Sequence, residues 1–177
     1  MKYFAIAAAA ILALAATASG SEARSKARAF TNAGEFAQEL KSSGNFEILS
    51  SALALQNSDN GEVKKFAQKM IDDHKAADQR LTDTLKQAHL PEPEYTMTEE
   101  NAALVQDLEP LHGARFDRRY LQDQVQGHRD AIQLIEGYTK SGDNDALKQL
   151  ASSLLPTIEE HYRMAQALSA SGETARR

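Results

Sequence analysis

The 177-residue chain contains no cysteine and no tryptophan. Without thiols it forms no disulfide, builds no thiolate metal site and offers no cysteine for lipid attachment. Glycine and proline are scarce, at 9 and 4 residues, and they fall mainly where helices should end. Runs of β-branched residues are missing, and with them the main signal for strands. Positive charge is in the minority: 20 Lys and Arg against 25 Asp and Glu, a net charge of −5. An acidic chain without a basic cluster suits neither nucleic-acid phosphates nor an anionic membrane surface. Arg176 and Arg177 are too few to change that. There is no Gly-rich phosphate loop and no Gly-x-Ser-x-Gly elbow. Neither a nucleotide nor a flavin is therefore expected, and no reaction follows from the motifs.

The one long apolar run is at the start, from Tyr3 to Ala16, after a single Lys2 and before the small residues Ala16-Thr17-Ala18. A basic start, a short apolar stretch and an Ala-x-Ala end describe a secretory signal peptide over residues 1–18. Cleavage is expected after Ala18, with Ala23 as the alternative. The run is shorter than the about 20 residues that an anchor needs, so no integral membrane segment is expected after cleavage. The expected location is outside the cytoplasm, in the bacterial periplasm. Removing Lys2 makes the mature chain one charge more acidic. Its length suits one domain with a sizeable core.

What remains is rich in Ala, Leu, Gln, Lys, Asp and Glu, a helical composition. Residues 19–29 are small and polar and are expected to be a disordered tail. A first long helix is predicted from Asn32, a good N-cap, to about Asn57, with Gly44 as a bend or a point of close helix approach. The second runs from Glu62 to about Ala88, with Val63, Phe66, Ala67, Met70, Ile71, Ala77, Leu81 and Leu85 at helical spacing. Pro91 and Pro93 end it. A short helix capped by Thr98 follows, to about Leu108. The third long helix spans about Ala114 to Lys140. The fourth spans Asp145 to about Ala170, with Pro156 expected to kink it. Residues 171–177 are expected to be disordered. Two short-looped hairpins joined by a long connection, residues 89–113, describe an all-α fold: a ferritin-like four-helix bundle over residues 30–170 with a short helix in the crossover.

Three of the five histidines fall inside apolar stripes near the middle of their helices. His74 stands between Met70 and Leu81, His128 between Val125 and Ile132, and His161 between Ile158 and Ala165, so each points inward. Glu47 occupies the matching height on the first helix. Three imidazoles and one carboxylate suit a single divalent ion such as zinc, iron or manganese. Asp78, four residues from His74, is a candidate for a further ligand or a supporting hydrogen bond. Asp73, Asp117, Tyr120 and Glu160 are candidates to hold the rings in place. A lone histidine on an apolar face is usually a packed core residue, and Asp72-Asp73 beside Lys69 and Lys75 reads as a solvated face. Three centred histidines are different, because several polar groups in one core layer cost stability unless they satisfy each other or bind an ion. The di-iron pattern is missing. The one Glu-x-x-His, Glu109 to His112, is interrupted by Pro110.

Three blocks in order carry a resemblance: Phe66-Ala67-Gln68-Lys69-Met70-Ile71-Asp72-Asp73-His74; Phe116-Asp117-Arg118-Arg119-Tyr120 with Val125 and His128; and Leu155-Pro156-Thr157-Ile158-Glu159-Glu160-His161. Over residues 30–170 the chain resembles the exported bacterial family known as domain of unknown function DUF4142. The resemblance implies a ferritin-like fold and recurring residues at Glu47, Asp73, His74, Asp117, Tyr120, His128 and His161. It implies no activity. The outer-membrane description attached to that family finds no alternating strands here. Two other readings stand beside the metal site. One is a helical interaction module with dispersed histidines and an exposed apolar patch, its partner another protein or a second copy of this chain. The other is a small-molecule binder with a cavity lined by Met70, Phe116 and Tyr120.

Overall fold

The structure, a computed structural model, describes residues 31–94 and 96–174. The expected signal peptide (1–18) and tail (19–29) lie outside the described residues. The described chain forms five helices and no strand: α1 (Ala33–Asn57), α2 (Gly61–Gln87), α3 (Glu99–Leu108), α4 (Gly113–Ser141) and α5 (Asp145–Thr174).

Side-chain caps set most of the starts. The Asn32 carboxamide accepts from the Gly34 and Glu35 amides, Asn60 from Glu62, Thr98 from Asn101 and Asn144 from Leu147, each satisfying an amide that has no partner within its helix. α2 stops at a Schellman turn, in which the Leu90 amide donates to the Leu85 carbonyl and the His89 amide to that of Lys86. His89 fills the left-handed position at φ 53° that glycine usually takes. α5 runs through Pro156. The Ser152 carbonyl loses its helical donor there, but both residues are exposed, so water can serve it. α5 also continues to Thr174, beyond the end expected near Ala170.

α1 packs on α2, α2 on α5, α5 on α4, and α4 on α1, while α3 lies against α1 and α4. Two apolar clusters fill the interior. Phe36, Leu81, Leu85, Ile135, Tyr138 and Leu147 belong to the first, where the Phe36 and Tyr138 rings stack at 3.9 Å. Val63, Phe66, Met70, Leu108, Phe116 and Tyr120 belong to the second. Each long helix contributes to both clusters, α1 and α5 entering the first cluster before the second, α2 and α4 the reverse. Met70, Phe116 and Tyr120 are fully buried in the second cluster and line neither of the two cavities beside the histidines.

Candidate metal centre

Between the two clusters every long helix turns polar. Glu47 on α1, His74 on α2, His128 on α4 and His161 on α5 are all buried, as are Ser50, Ser51 and Gln124. The inward histidines of the sequence pattern therefore share one layer. One ring nitrogen from each of His74, His128 and His161 lies within 4.8 Å of the other two, and the ring centroids are 5.4–5.9 Å apart. His89 and His112 are exposed and stand outside this group.

The hydrogen bonds decide which nitrogens are free. His128 Nδ1 is 2.8 Å from the Gln124 carbonyl oxygen, which can only accept. The proton is therefore on Nδ1, and Nε2 carries a lone pair. His161 Nε2 donates to Asp73 Oδ2 at 2.7 Å, which leaves Nδ1 as the bare nitrogen. His74 Nε2, His128 Nε2 and His161 Nδ1 are buried without any hydrogen-bond partner. Burial keeps all three rings neutral by penalising the imidazolium form. It carries His128 down to about 4. His74 lies well below the ordinary imidazole value, with His128 and His161 adding to the effect. His161 is also lowered by burial, against the pull of Asp73.

Asp73 is not part of a merely solvated face. Burial raises its carboxyl, but the hydrogen bond from His161 and that from Lys69 outweigh burial and hold it below the usual carboxylate value. Lys69 reaches Asp73 at 3.0 Å and Glu160 at 3.8 Å, so Glu160 is tied to His161 through Lys69 and Asp73. Asp72 and Lys75 are exposed, as the solvated-face reading expects.

Glu47 is only 2% exposed, although Gly44 and Ser51 stand beside it on α1. Its carboxylate stands outside the converging nitrogens. Oε1 is 3.8 Å from His128 Nδ1, the nitrogen already bound to Gln124, and Oε2 has no partner. Burial pushes its carboxyl up to about 8, against the hydrogen bond of the Gln124 amide and with the help of Asp123. Gly127 makes room for it, since a Cβ at that position would stand 3.3 Å from Glu47 Oε1.

The structure does not bring the remaining candidates to the ring nitrogens. Asp78 pairs with Lys41 across α1 and α2 at 2.6 Å. Tyr120 shares a 2.8 Å hydrogen bond with Ser51, and burial raises its phenol. Asp117 is 11 residues before His128 on α4, about 16 Å along the helix axis, and its Oδ1 is buried without a partner. Gln124 was missed by the sequence reading, although it lies one turn before His128 on the same face. Its carbonyl orients His128, its amide donates to Ser50 at 3.3 Å, and its Oε1 is unpartnered.

A crystal structure of a DUF305 protein from Streptomyces coelicolor, classed as a candidate secreted protein, has a similar fold. The TM-score is 0.67 at 18% identity, covering 78% of this chain and 91% of that one. At that identity the likeness is one of fold. No curated protein matches the chain. The model of the family described as domain of unknown function DUF4142 matches residues 16–168, and the chain belongs to that family.

Proposed function

We propose that this is an exported metal-binding protein that holds one divalent transition-metal ion at the centre of a ferritin-like bundle, two antiparallel hairpins joined by the α3 crossover. The observation that carries the reading is the set of three buried, unpartnered ring nitrogens, His74 Nε2, His128 Nε2 and His161 Nδ1. Polar ring nitrogens gathered in an apolar interior forgo hydrogen bonds, which is costly unless a cation or a donor enters. Tetrahedral ligands at about 2.1 Å from an ion stand about 3.4 Å apart, within reach of small ring rotations from the spacing seen here. The other nitrogens of His128 and His161 already donate to oxygen, the usual way ligating imidazoles are held. Glu47 is proposed as the carboxylate that completes or neutralises the site, its neutral form giving way to the anion once a cation is present. A bound ion would supply the positive charge that the layer lacks.

The module reading is less well supported. It needs dispersed histidines, whereas the rings cluster, and among the described residues Leu49 is the one exposed large hydrophobic side chain. Export rests on the signal-like first 18 residues. The described helices include none long and apolar enough to cross a membrane.

The test is to express the full chain in a bacterial host, purify it untagged from the periplasm, and measure its metals by mass spectrometry beside a His74→Ala/His128→Ala double mutant. About one equivalent of one metal, lost in a still-helical mutant, is expected. No metal as isolated, and no uptake of zinc, iron(II) or manganese afterwards, would sink the reading. N-terminal sequencing of the same material should give Ser19 or Arg24 as the first residue.

A further inference from the structure

The histidine layer is reached from outside by a cleft of about 120 Å³ between α2 and α5. On the same measure the space beside Glu47 and His128 has only about 30 Å³. At roughly 15 Å³ for each water, the cleft takes about eight water-sized groups and the other space about two. His74 and His161 form the floor of the cleft, each with a buried ring nitrogen that has no hydrogen-bond partner. Asp73 stands at the same end.

Both ends of the cleft are polar, and the walls between them are not. Outward from the histidines, α2 presents Ala77 and then Arg80, while α5, running the opposite way, presents Ile158 and then Leu154. Arg80 is six residues beyond His74, about 9 Å along the helix axis. Its guanidinium donates to the Ser153 hydroxyl on α5, and among the described residues it has no carboxylate partner. Lys69 differs, being paired with Asp73 and Glu160. The Asp73 charge is thus engaged by Lys69 and by the His161 ring, whereas that of Arg80 is not engaged by any anion.

We infer that the cleft binds a short aliphatic dicarboxylate, one carboxylate joining the ion over His74 and His161 and the other meeting the guanidinium of Arg80. The inference rests on the metal reading, because without an ion the inner end offers an anion no positive charge. A divalent ion among imidazoles has room for a further oxygen ligand. Arg80 supplies the planar pair of donors that suits a carboxylate. The side chains of Ala77, Leu154 and Ile158 lie between the two charges, where a short hydrocarbon spacer sheds water against them. A dicarboxylate of four carbons has eight non-hydrogen atoms, which matches the room for about eight waters. A monocarboxylate satisfies one end and leaves the other to water.

The test is to load the untagged protein with cobalt(II), whose visible bands report its ligands, and to titrate it with succinate and, separately, with butyrate. A saturable change of the bands with succinate is expected, the cobalt staying on the protein, with butyrate about tenfold weaker. Arg80 is exposed, so its exchange leaves the core intact. Arg80→Gln should weaken succinate about tenfold, to the level of butyrate, while cobalt affinity stays within about twofold of wild type. Arg80→Lys should recover part of the loss. Cobalt bands that succinate leaves unchanged, or cobalt that succinate strips away, would overturn the inference and leave the metal reading standing. Equal affinity for butyrate, or for succinate in Arg80→Gln, would overturn the role of the outer end and with it the dicarboxylate. A protein that takes up no cobalt and holds no other metal removes the metal reading and this inference together.

Discussion

A carboxyl group at 2% exposure, with one oxygen unpartnered, has to be neutral or neutralised. Glu47 therefore couples the stability of the metal-free protein to pH. Its folded value of about 8 is above its ordinary 4.5, so its contribution is full below 4.5 and is lost as pH rises toward 8. The three imidazoles act in the opposite sense. Their folded values are below 6.5, so their contribution is present above 6.5 and is lost as pH falls, through about 4 for His128. Between pH 6.5 and 8 Glu47 dominates. Denaturation of the chelated protein should show stability falling there with a slope of at most about 1.4 kcal/mol per pH unit, and Glu47→Gln should flatten it. An unchanged slope would mean that Glu47 is ionised in the folded protein. Asp73 gives a second prediction at this scale. It accepts from His161 and is held ionised in part by Lys69. Asp73→Asn should lower metal affinity by about 10–100-fold, as loss of such a partner usually does, with little change in helicity. Competition against a chelator of known affinity would measure it.

At the level of elements, a buried hydroxyl holds the start of the crossover helix. Ser42 on α1 accepts from the Thr98 amide at 2.8 Å and from the Asn101 carboxamide at 2.9 Å, and it contacts the Thr98 hydroxyl at 3.3 Å. It is fully buried, so the start of α3 is tied to α1 at a site where water cannot replace the bond. Ser42→Ala leaves those donors unsatisfied and should cost about 1–3 kcal/mol. The loss should be local as well as global: hydrogen exchange should accelerate in α3 and at Thr98 more than in α2 or α5. Uniform acceleration would show that Ser42 supports the bundle as a whole. Leu108, buried in the second cluster, ties down the other end of α3.

For the whole molecule, the polar layer separates two apolar clusters that each draw on all four long helices. An ion bound there would bridge α2, α4 and α5 in one contact set, so metal binding should appear as global stability rather than local order. Free metal at about 100 times its dissociation constant stabilises by about 2.7 kcal/mol, on the order of 5–10 °C in Tm for a domain of this size. Calorimetry with and without chelator checks it. An identical Tm in both conditions, at saturating zinc, iron(II) and manganese in turn, counts against any ion in the layer. The His74→Ala/His128→Ala protein should show no metal dependence.

Much of this was legible from residue order. Helical composition, N-caps at Asn32 and Thr98, and apolar spacing of three and four place the helices to within a few residues and turn His74, His128 and His161 inward, because a 3.6-residue period leaves a buried stripe few alternatives. Periodicity specifies a face, but not what stands across from it or how deep a polar residue sinks. The small and polar neighbours of Glu47 give no sign of how deeply it sinks, and only the packing of α4 against α1, with Gly127 opposite, buries it. The Gln124 carbonyl that orients His128 belongs to the backbone, where side-chain identity gives little warning. Asp78 lies one turn from His74, yet it turns to Lys41 because α1 supplies a cation at 2.6 Å. Composition and local spacing thus determined the helices and the inward histidines. The convergence of the three imidazoles and the burial of Glu47 were decided by tertiary packing, since each depends on side chains brought together from different helices.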